Sequence, residues 1–334
     1  MRAWELTNGF GVENLKLVER PDAQPGGTQV AVRVEACSLN FRDTLVVMGV
    51  YNPKMPLPFI PLSDGAGVVE SVGEGVSAFE VGDRVVSTFF TAWDGWPVPS
   101  RSVLRNTRGG PLDGMLATRV VADEREWVKA PSHLDGIESA TLPCAALTAW
   151  SAVVAQGGAS PGDVVVVQGT GGVALFALQF ALLCGATVVV VSSSEESSSG
   201  SEPWESTTAS CAPRRAVGAR RSPAGPARVA RRRRRGRGQL GREPSRHSTG
   251  GIISLIGNLG GSRTSVELLQ AIMQNVRLQG ILVGPRVELD RMCRAMEAHA
   301  IRPVIDEVVP FEVAPDAIGS FPSQDHVGKV CIRI

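Results

Sequence analysis

Hydrophobic and polar positions alternate with period two in much of residues 1–130. Residues 29–35 (QVAVRVE) place a valine at every second position, as expected of a strand with one buried face. Residues 65–73 (GAGVVESVG) and 81–86 (VGDRVV) are short apolar runs interrupted by glycine, which indicates strands joined by tight turns. Many short strands with glycine and proline turns predict a β-barrel or sandwich here.

The pattern changes after residue 130. Residues 134–156 are rich in Ala and Leu and predict a helical region. Residues 164–168 form an apolar run suited to a strand buried on both faces, and residues 173–184 are apolar on nearly every side of a predicted helix. Residues 187–191 predict a second buried strand. These last three elements form a βαβ unit, which requires parallel strands.

The turn between the first of these strands and the helix reads Gly-x-Gly-x-x-Ala. Gly169 permits a tight turn, Gly171 lets the backbone approach a pyrophosphate, and Ala174 is small enough for close helix–strand packing. The first amides of the helix would face the phosphates. The pattern predicts a dinucleotide site whose contacts come from Gly169, Thr170, Gly171, Gly172 and Val173. The alternative is a strand–turn–helix without a ligand, because glycine turns are common.

Three serines, Ser192, Ser193 and Ser194, follow the second strand, where NAD sites usually carry an acidic residue. Hydroxyls can donate to a ribose 2′-phosphate that a carboxylate would repel, so the serines favour NADP (NADPH). Glu195 and Glu196 follow closely, which keeps NAD open. The serines could also cap the next helix instead.

Composition indicates a globular protein of about two domains. The chain has 334 residues, of which 43% are hydrophobic and 20% charged, which excludes a disordered chain, a coiled coil and a collagen-like repeat. The six cysteines form no CxxC pair, so we expect free thiols in a reducing cytosol and a cytoplasmic protein. The amino terminus shows no apolar signal region. We interpret the uncharged stretch 173–191 as a helix and a strand and not as a membrane span.

Residues 197–248 depart from this composition. They hold 13 Arg and three Glu with no Lys or Asp, a net charge of +10 in a chain whose total is +1. No window shows period 2 or 3.6, so the segment is predicted to be disordered. The arginine run 231–235 suggests a nucleic-acid or anionic-surface tether as one interpretation. Because no aromatic residues interleave with it, we expect no nucleic-acid or membrane partner.

Five motifs run in order along the chain: LNFRD at 39–43, PLSDGAG at 61–67, LPCAALTAW at 142–150, VQGTGGV at 167–173 and HVGKV at 326–330. Together they resemble the medium-chain dehydrogenase/reductase superfamily, in its zinc-free quinone-oxidoreductase-like and zinc-type alcohol dehydrogenase-like branch. The resemblance covers nearly all of residues 1–196 and 250–334.

The resemblance implies an α/β fold, with a Rossmann doubly wound parallel sheet and a GroES-like β-barrel catalytic domain. The catalytic domain is expected at 1–124 and 285–334 and the nucleotide domain at 125–284, with the cofactor in the cleft between them. It also implies an NADP(H)-dependent oxidoreductase with a small-molecule substrate, assembled as a homodimer or homotetramer.

Zinc-dependent relatives use a cysteine, a Gly-His-Glu motif and a third ligand. The matching positions here are Asn40 and Leu62-Ser63-Asp64, and neither Asn nor Ser is a competent zinc ligand. Residues 89–114 contain no cysteine for a structural zinc site. We therefore predict that the protein holds neither a catalytic nor a structural zinc ion.

An acceptor that receives hydride develops negative charge on its oxygen, which hydrogen-bond donors must stabilise when no metal does so. The resemblance implies Asn40 as a polar group beside the nicotinamide and Asp43 as its orienting partner. Tyr51 is a candidate donor to the substrate, or equally an ordinary packed aromatic. The implied contacts to the cofactor ring are Thr148, Gly257, Asn258, Leu282 and Val283. The predicted substrate is a quinone, an enone or a carbonyl/alcohol pair; the alternative is an NADPH-binding protein without turnover, structural or regulatory.

The length of residues 197–248 matches what the family places there, and the family pattern resumes at residue 250. A GC-rich gene that is read one base out of frame yields Arg, Gly, Pro, Ser and Ala, the residues that dominate this segment. We therefore advance the hypothesis that two compensating frameshifts, real or from a sequencing error, altered it.

Overall fold

The computed structural model describes residues 1–191, 249–257, 266, 268–323 and 326–334, and the backbone of 227–232. By their internal contacts, the residues group into two compact units, Met1–Leu147 with Val283–Ile334, and Thr148–Leu282.

The first unit is built mainly from β-strands. Numbered in chain order, they are β1 (Arg2–Leu6), β2 (Leu15–Glu19), β3 (Gln29–Ser38), β4 (Asp64–Val72), β5 (Arg84–Ser87), β6 (Arg119–Asp123), β7 (Trp127–Lys129), β13 (Ile305–Pro310) and β14 (Lys329–Arg333). One sheet has the order β13-β14-β3-β4-β5-β7, with β6 also paired to β3, and β1 pairs with β2 apart from it. The strands predicted near 29, 65 and 84 are confirmed.

Strand β3 is the centre of this unit because three other strands pair with it. It pairs antiparallel with β4, β6 and β14. Val30, Val32 and Val34 are at most 2% exposed and join the core. At Gly67 in β4, a Cβ atom would collide with the carbonyl oxygen of Arg33, so this crossing requires glycine.

Four helices complete the first unit. They are α1 (Phe41–Val47), α2 (Gly136–Ser139), α6 (Arg286–Ala298) and α7 (Ala314–Ser320). Only two residues, Leu39 and Asn40, separate the end of β3 from the start of helix α1. It therefore places the LNFRD motif at the end of the central strand.

The helical region predicted over 134–156 is present in pieces. Helix α2 is followed by a π-helical turn at Leu142–Ala146, by α3 (Leu147–Trp150) and by a second π-helical turn at Ser151–Ala155. The boundary between the units falls within this region. Residues 125–147 belong to the first unit, whereas the expected boundary lay at 124/125. The physical reason is that β7 pairs with β5 and that the Cys144 amide donates to Asp64.

The second unit contains a five-stranded sheet. Its strands are β8 (Val164–Gln168), β9 (Thr187–Val191), β10 (Ala227–Arg232), β11 (Ile252–Ile256) and β12 (Arg277–Gly280), in the order β12-β11-β10-β8-β9. Its helices are α4 (Gly172–Leu183) and α5 (Leu268–Met273). The predicted βαβ unit is confirmed, with β8 and β9 parallel and in register from Val164 opposite Thr187.

Two expectations about this sheet were wrong. The sheet is mixed and not wholly parallel, because β10 runs antiparallel to both β8 and β11. Strand β10 also lies inside 197–248, which was predicted to lack regular structure. The strand forms through backbone pairing with β8 and β11, and the arginine-rich sequence gives no sign of this pairing. The rest of 197–248 falls outside the described residues.

The apolar character of α4 follows from its burial. Ala174, Phe176, Ala177 and Phe180 are buried, and the Phe180 ring packs edge-on against Trp150 at 5.3 Å between centroids. Gly185, at φ +77°, ends the helix with its N–H bonded to the Leu182 carbonyl. Among the described helices, none has the length and apolarity that a bilayer crossing requires.

Candidate functional site

The glycine turn after β8 joins a strand to a helix. Gly169 lies at φ +94°, a conformation that glycine adopts without strain, and its N–H bonds to the Val191 carbonyl at 2.7 Å. Gly171 is the N-cap of α4 at φ −74°, and no side chain caps the helix there. The first-turn N–H groups of a helix have no partner within the helix, so this end offers donors to a ligand.

The space beside these glycines is open. Among the described residues, a Cβ atom added at Gly169 or Gly171 would meet no atom within 4 Å beyond its own chain neighbours, whereas at Gly157 it would collide with the Ala152 carbonyl. Packing against the described residues therefore does not require glycine at 171. Donors at a helix N-terminus beside open space suit a diphosphate, so the residues present fit a dinucleotide cofactor.

The other predicted cofactor residues are placed as follows. Thr148 is buried in α3, and Gly257, at φ +61°, follows β11 directly. Leu282 is half exposed at 50%, and Val283 is buried at φ +31°. Ser192, Ser193, Ser194 and Asn258 lie outside the described residues. The roles of all these residues stay predictions.

In the first unit, Asn40 and Asp43 stand at the start of α1. The Asn40 N–H donates to Asp43 Oδ2 at 2.9 Å, which closes the first turn of the helix. Asp43 is fully buried and also accepts from the Ser63 N–H at 3.3 Å and from Arg42 at 3.3 Å. A carboxylate with these three donors is held in place, as the predicted orienting role requires.

Ser63 and Asp64 lie at the start of β4, beside Asn40. The Ser63 hydroxyl donates to Asp64 Oδ1 at 2.7 Å and is 3.5 Å from Asn40 Nδ2. Asp64 Oδ2 accepts from the Cys144 N–H at 3.0 Å. The preceding residue, Leu62, is buried at φ +70°, a strained conformation for leucine that the surrounding structure must hold.

Lys329 completes this cluster and was absent from the predicted site residues. It is 4% exposed in β14, and its Nζ donates to Asn40 Oδ1 at 2.6 Å and to the Leu39 carbonyl. The available signal was a lysine that begins an apolar run, KVCI, within and after the last motif, HVGKV. Lysine is almost never fully buried unless it is paired, so such a position warrants a search for partners.

Burial sets the proton affinities in this cluster, which we call the Asn40–Lys329 cluster (Asn40, Asp43, Ser63, Asp64 and Lys329). Desolvation raises the pKa of Asp64 to about 6, while the charge of Lys329 acts to lower it and that of Asp43 to raise it further. Desolvation also raises the pKa of Asp43, against the lowering effect of neighbouring Arg42. Asp64 is thus a carboxyl group that titrates near neutral pH.

Tyr51 follows α1 and is 53% exposed. The guanidinium carbon of Arg42 lies 5.2 Å from the centroid of its ring, and the same carbon lies 5.0 Å from the Phe89 ring. Since Arg42 also bonds to Asp43, Tyr51 is connected to the Asn40–Lys329 cluster through Arg42. Its role as a hydrogen-bond donor to substrate stays a prediction.

The cluster does not fit a zinc ion. Asn40 Oδ1 already accepts from an ammonium group, Ser63 is not a zinc ligand, and Asp64 is occupied by two donors. Across the part of the chain that the structure describes, no group of three or more His, Cys, Asp or Glu side chains is arranged to hold a metal.

Two families match the chain. The alcohol dehydrogenase GroES-like domain matches residues 26–132, and the family described as zinc-binding dehydrogenase matches residues 238–332. A GroES-like unit combined with a Rossmann-like unit defines a two-part oxidoreductase of the alcohol dehydrogenase type. The predicted fold class is thereby confirmed, with the mixed sheet as its one correction.

Individual relatives cover most of the chain. A zinc-type alcohol dehydrogenase-like protein of Schizosaccharomyces pombe is 37% identical over 324 residues, 92% of this chain and 91% of that protein. A solved structure of a candidate alcohol dehydrogenase from Sinorhizobium meliloti 1021 has a TM-score of 0.83 at 35% identity, covering 100% of this chain and 98% of that one. The chain belongs to the medium-chain dehydrogenase/reductase superfamily, as its motifs predicted, and is an oxidoreductase of that family.

A chloroplast envelope quinone oxidoreductase homolog of Arabidopsis thaliana is 34% identical over 188 residues, which span 54% of this chain and 51% of that protein. The relatives therefore include proteins named for alcohols and for quinones.

Proposed function

We propose that this protein is an NADP(H)-dependent oxidoreductase that transfers hydride between the nicotinamide cofactor and a quinone, an enone or a carbonyl/alcohol pair without a metal ion. The observation that carries the proposal is the Asn40–Lys329 cluster, where a lysine ammonium bonds to the residue that stands at the zinc-ligand position of relatives. Relatives named quinone oxidoreductase and alcohol dehydrogenase support the range of substrates.

NADPH, when bound, supplies the hydride; the chain supplies binding, orientation and stabilisation of charge. The turn at Gly169–Gly172 and the first amides of α4 would hold the diphosphate. Asn40 Nδ2 is the hydrogen-bond donor that we assign to the oxygen of the acceptor, because its Oδ1 is occupied by Lys329. A fixed donor stabilises the developing negative charge without reorganising in the transition state.

The proposal is tested with purified protein in the presence of a chelator. NADPH oxidation is followed at 340 nm against a panel of quinones, enones and aldehydes, and alcohols are offered with NADP in the reverse direction. We expect turnover that the chelator does not change and a preference for NADPH over NADH. Matched samples with added zinc form the control.

Two results would count against the proposal. Activity that appears only on addition of zinc would contradict the metal-free reaction. Tight NADPH binding by calorimetry, with no turnover over the whole panel, would favour the alternative of a nucleotide-binding protein with a structural or regulatory role.

A further inference from the structure

Lys329 is held by two acceptors inside the first unit. The residue is 4% exposed, and its Nζ bonds to Asn40 Oδ1 and to the Leu39 carbonyl. Removing an ammonium group from water is costly unless opposite charge and hydrogen bonds compensate for it. The burial of this lysine therefore requires a partner of negative charge nearby.

That charge comes from two carboxylates. Asn40 connects them to the lysine, because it accepts from Lys329 Nζ at 2.6 Å and its N–H donates to Asp43 Oδ2 at 2.9 Å. The charge of Lys329 acts to lower the pKa of both Asp64 and Asp43. The other titratable or charged groups that face them are Arg42 from α1 and the thiols Cys37, Cys144 and Cys331, whose pKa values burial raises. Among these groups, Arg42 and Lys329 are the cations, from α1 and β14.

Lys329 also decides how the Asn40 amide is oriented. An ammonium group donates and cannot accept, so the amide must turn its oxygen towards Lys329. Its nitrogen then faces the Ser63 hydroxyl at 3.5 Å and the Asp64 carboxyl group, whose pKa the Asn40 side chain lowers by hydrogen bonding. The contact to Ser63 is long. With an uncharged residue at 329, the amide oxygen would lose its ammonium partner, and the amide would be held only from its nitrogen side.

We propose that Lys329 is a positioning residue whose ammonium group fixes the Asn40 amide with its nitrogen as the available donor and balances the Asp43 and Asp64 carboxylates. The inference rests on the proposed function as far as the donor role of Asn40 is concerned. The charge-balancing role does not depend on any activity.

The charge-balancing role is tested by stability as a function of pH. Lys329→Met keeps a long side chain and removes the charge, and Lys129→Met, at an exposed lysine paired with Asp83, is the matched control. Without the ammonium, the pKa of Asp64 rises beyond its present value of about 6. The variant is then penalised for ionising Asp64, so its loss of Tm relative to wild type is expected to be larger at pH 8 than at pH 5.

A loss of Tm that is equal at pH 5 and pH 8 would overturn the charge-balancing role. If Lys329→Met does not fold at either pH, Lys329→Arg decides the question, because it keeps the charge. A pH dependence parallel to that of wild type would support the role, and a deficit that grows with pH despite the retained charge would contradict it.

The orienting role is tested by a double-mutant cycle with Asn40→Ala. Lys329→Met alone is expected to lower kcat by at least about tenfold, with KM changed by less than about twofold, because a donor that acts in the transition state is lost. In the Asn40→Ala background, the same substitution should cause little further loss. Independent, multiplicative losses would refute action through Asn40. A wild-type protein without turnover would refute the proposed function, while the Tm comparison would still decide the charge-balancing role.

Discussion

The substitution Gly171→Ala tests whether a bound ligand, and not the packing of the protein, requires glycine at position 171. Gly171 has φ −74°, which alanine adopts freely, and the added Cβ meets none of the described parts of the chain within 4 Å beyond its own neighbours. Alanine is a poorer N-cap than glycine by a few tenths of a kcal/mol to about 1 kcal/mol, but it lowers the entropy of the unfolded chain by about 0.4–1 kcal/mol. These effects nearly cancel, so Tm should change by less than about 2 °C.

Cofactor binding should respond differently. The Cβ would occupy the space through which the backbone approaches the diphosphate, so we expect the Kd for NADPH to rise at least about tenfold, or about 1.4 kcal/mol. Calorimetric titration measures the Kd and differential scanning fluorimetry measures Tm. Gly26→Ala, at an exposed glycine of the first unit that also faces open space, is the matched control and should change neither.

Gly169→Ala provides the contrast. Gly169 lies at φ +94°, so alanine there is strained by about 1–3 kcal/mol and Tm should fall even without a ligand. A Kd for NADPH that stays within about twofold of wild type in Gly171→Ala would refute the assignment of this turn to the diphosphate.

Three further predictions concern other parts of the chain. Burial raises the pKa of Asp64 from 3.8 to about 6, so the contribution of this group to stability is present below pH 3.8 and is lost as pH rises through 6. The substitution Asp64→Asn should therefore flatten the fall in the urea midpoint of unfolding between pH 5 and 7. An unchanged slope would contradict the pKa shift. Tyr51→Phe keeps the ring over Arg42, so Tm should stay constant while kcat falls by about tenfold or more if the hydroxyl is the substrate's donor, and an unchanged kcat assigns Tyr51 to packing. Peptide mapping of residues 197–248 by mass spectrometry, after Glu-C digestion, should reveal peptides that differ from the printed sequence if a sequencing error introduced the frameshifts. Peptides that match the printed sequence throughout refute a sequencing error and leave only frameshifts in the gene itself.

The elements that sequence predicted well are those whose signals are local. Strands β8 and β9 were predicted with their observed bounds, and α4 to within one residue, because each is an apolar run bounded by a turn. Strand β10 was missed because its six residues, ARVARR, show no periodic pattern. Its place in the sheet comes from backbone pairing with β8 and β11, which are distant in sequence. The antiparallel direction of β10, which makes the sheet mixed, likewise depends on its pairing with β8 and β11 and not on its own sequence.

The candidate site likewise has one part that a local sequence pattern predicts and one part that depends on contacts between distant residues. The glycine turn was predictable because its chemistry depends on spacing within one turn. Asn40, Asp43 and Ser63 were identified through short motifs, but the contact between Asn40 and Lys329 joins positions 289 residues apart. No local pattern reports that a buried lysine in β14 bonds to the residue that precedes α1, so this part of the site required the structure.

The charges of the Asn40–Lys329 cluster and its neighbour Arg42 bear on the question of zinc more directly than the identity of any one ligand. Asp43 and Asp64 are fully buried carboxyl groups, and two cations, the buried Lys329 and the largely buried Arg42, act to lower their pKa values. A divalent ion placed here would add further positive charge in a desolvated environment, at a cost of several kcal/mol for the ion. A cluster that already contains its own cations is therefore a poor site for a divalent ion, since the ammonium of Lys329, bonded to Asn40, already acts to lower the pKa of both buried carboxyl groups.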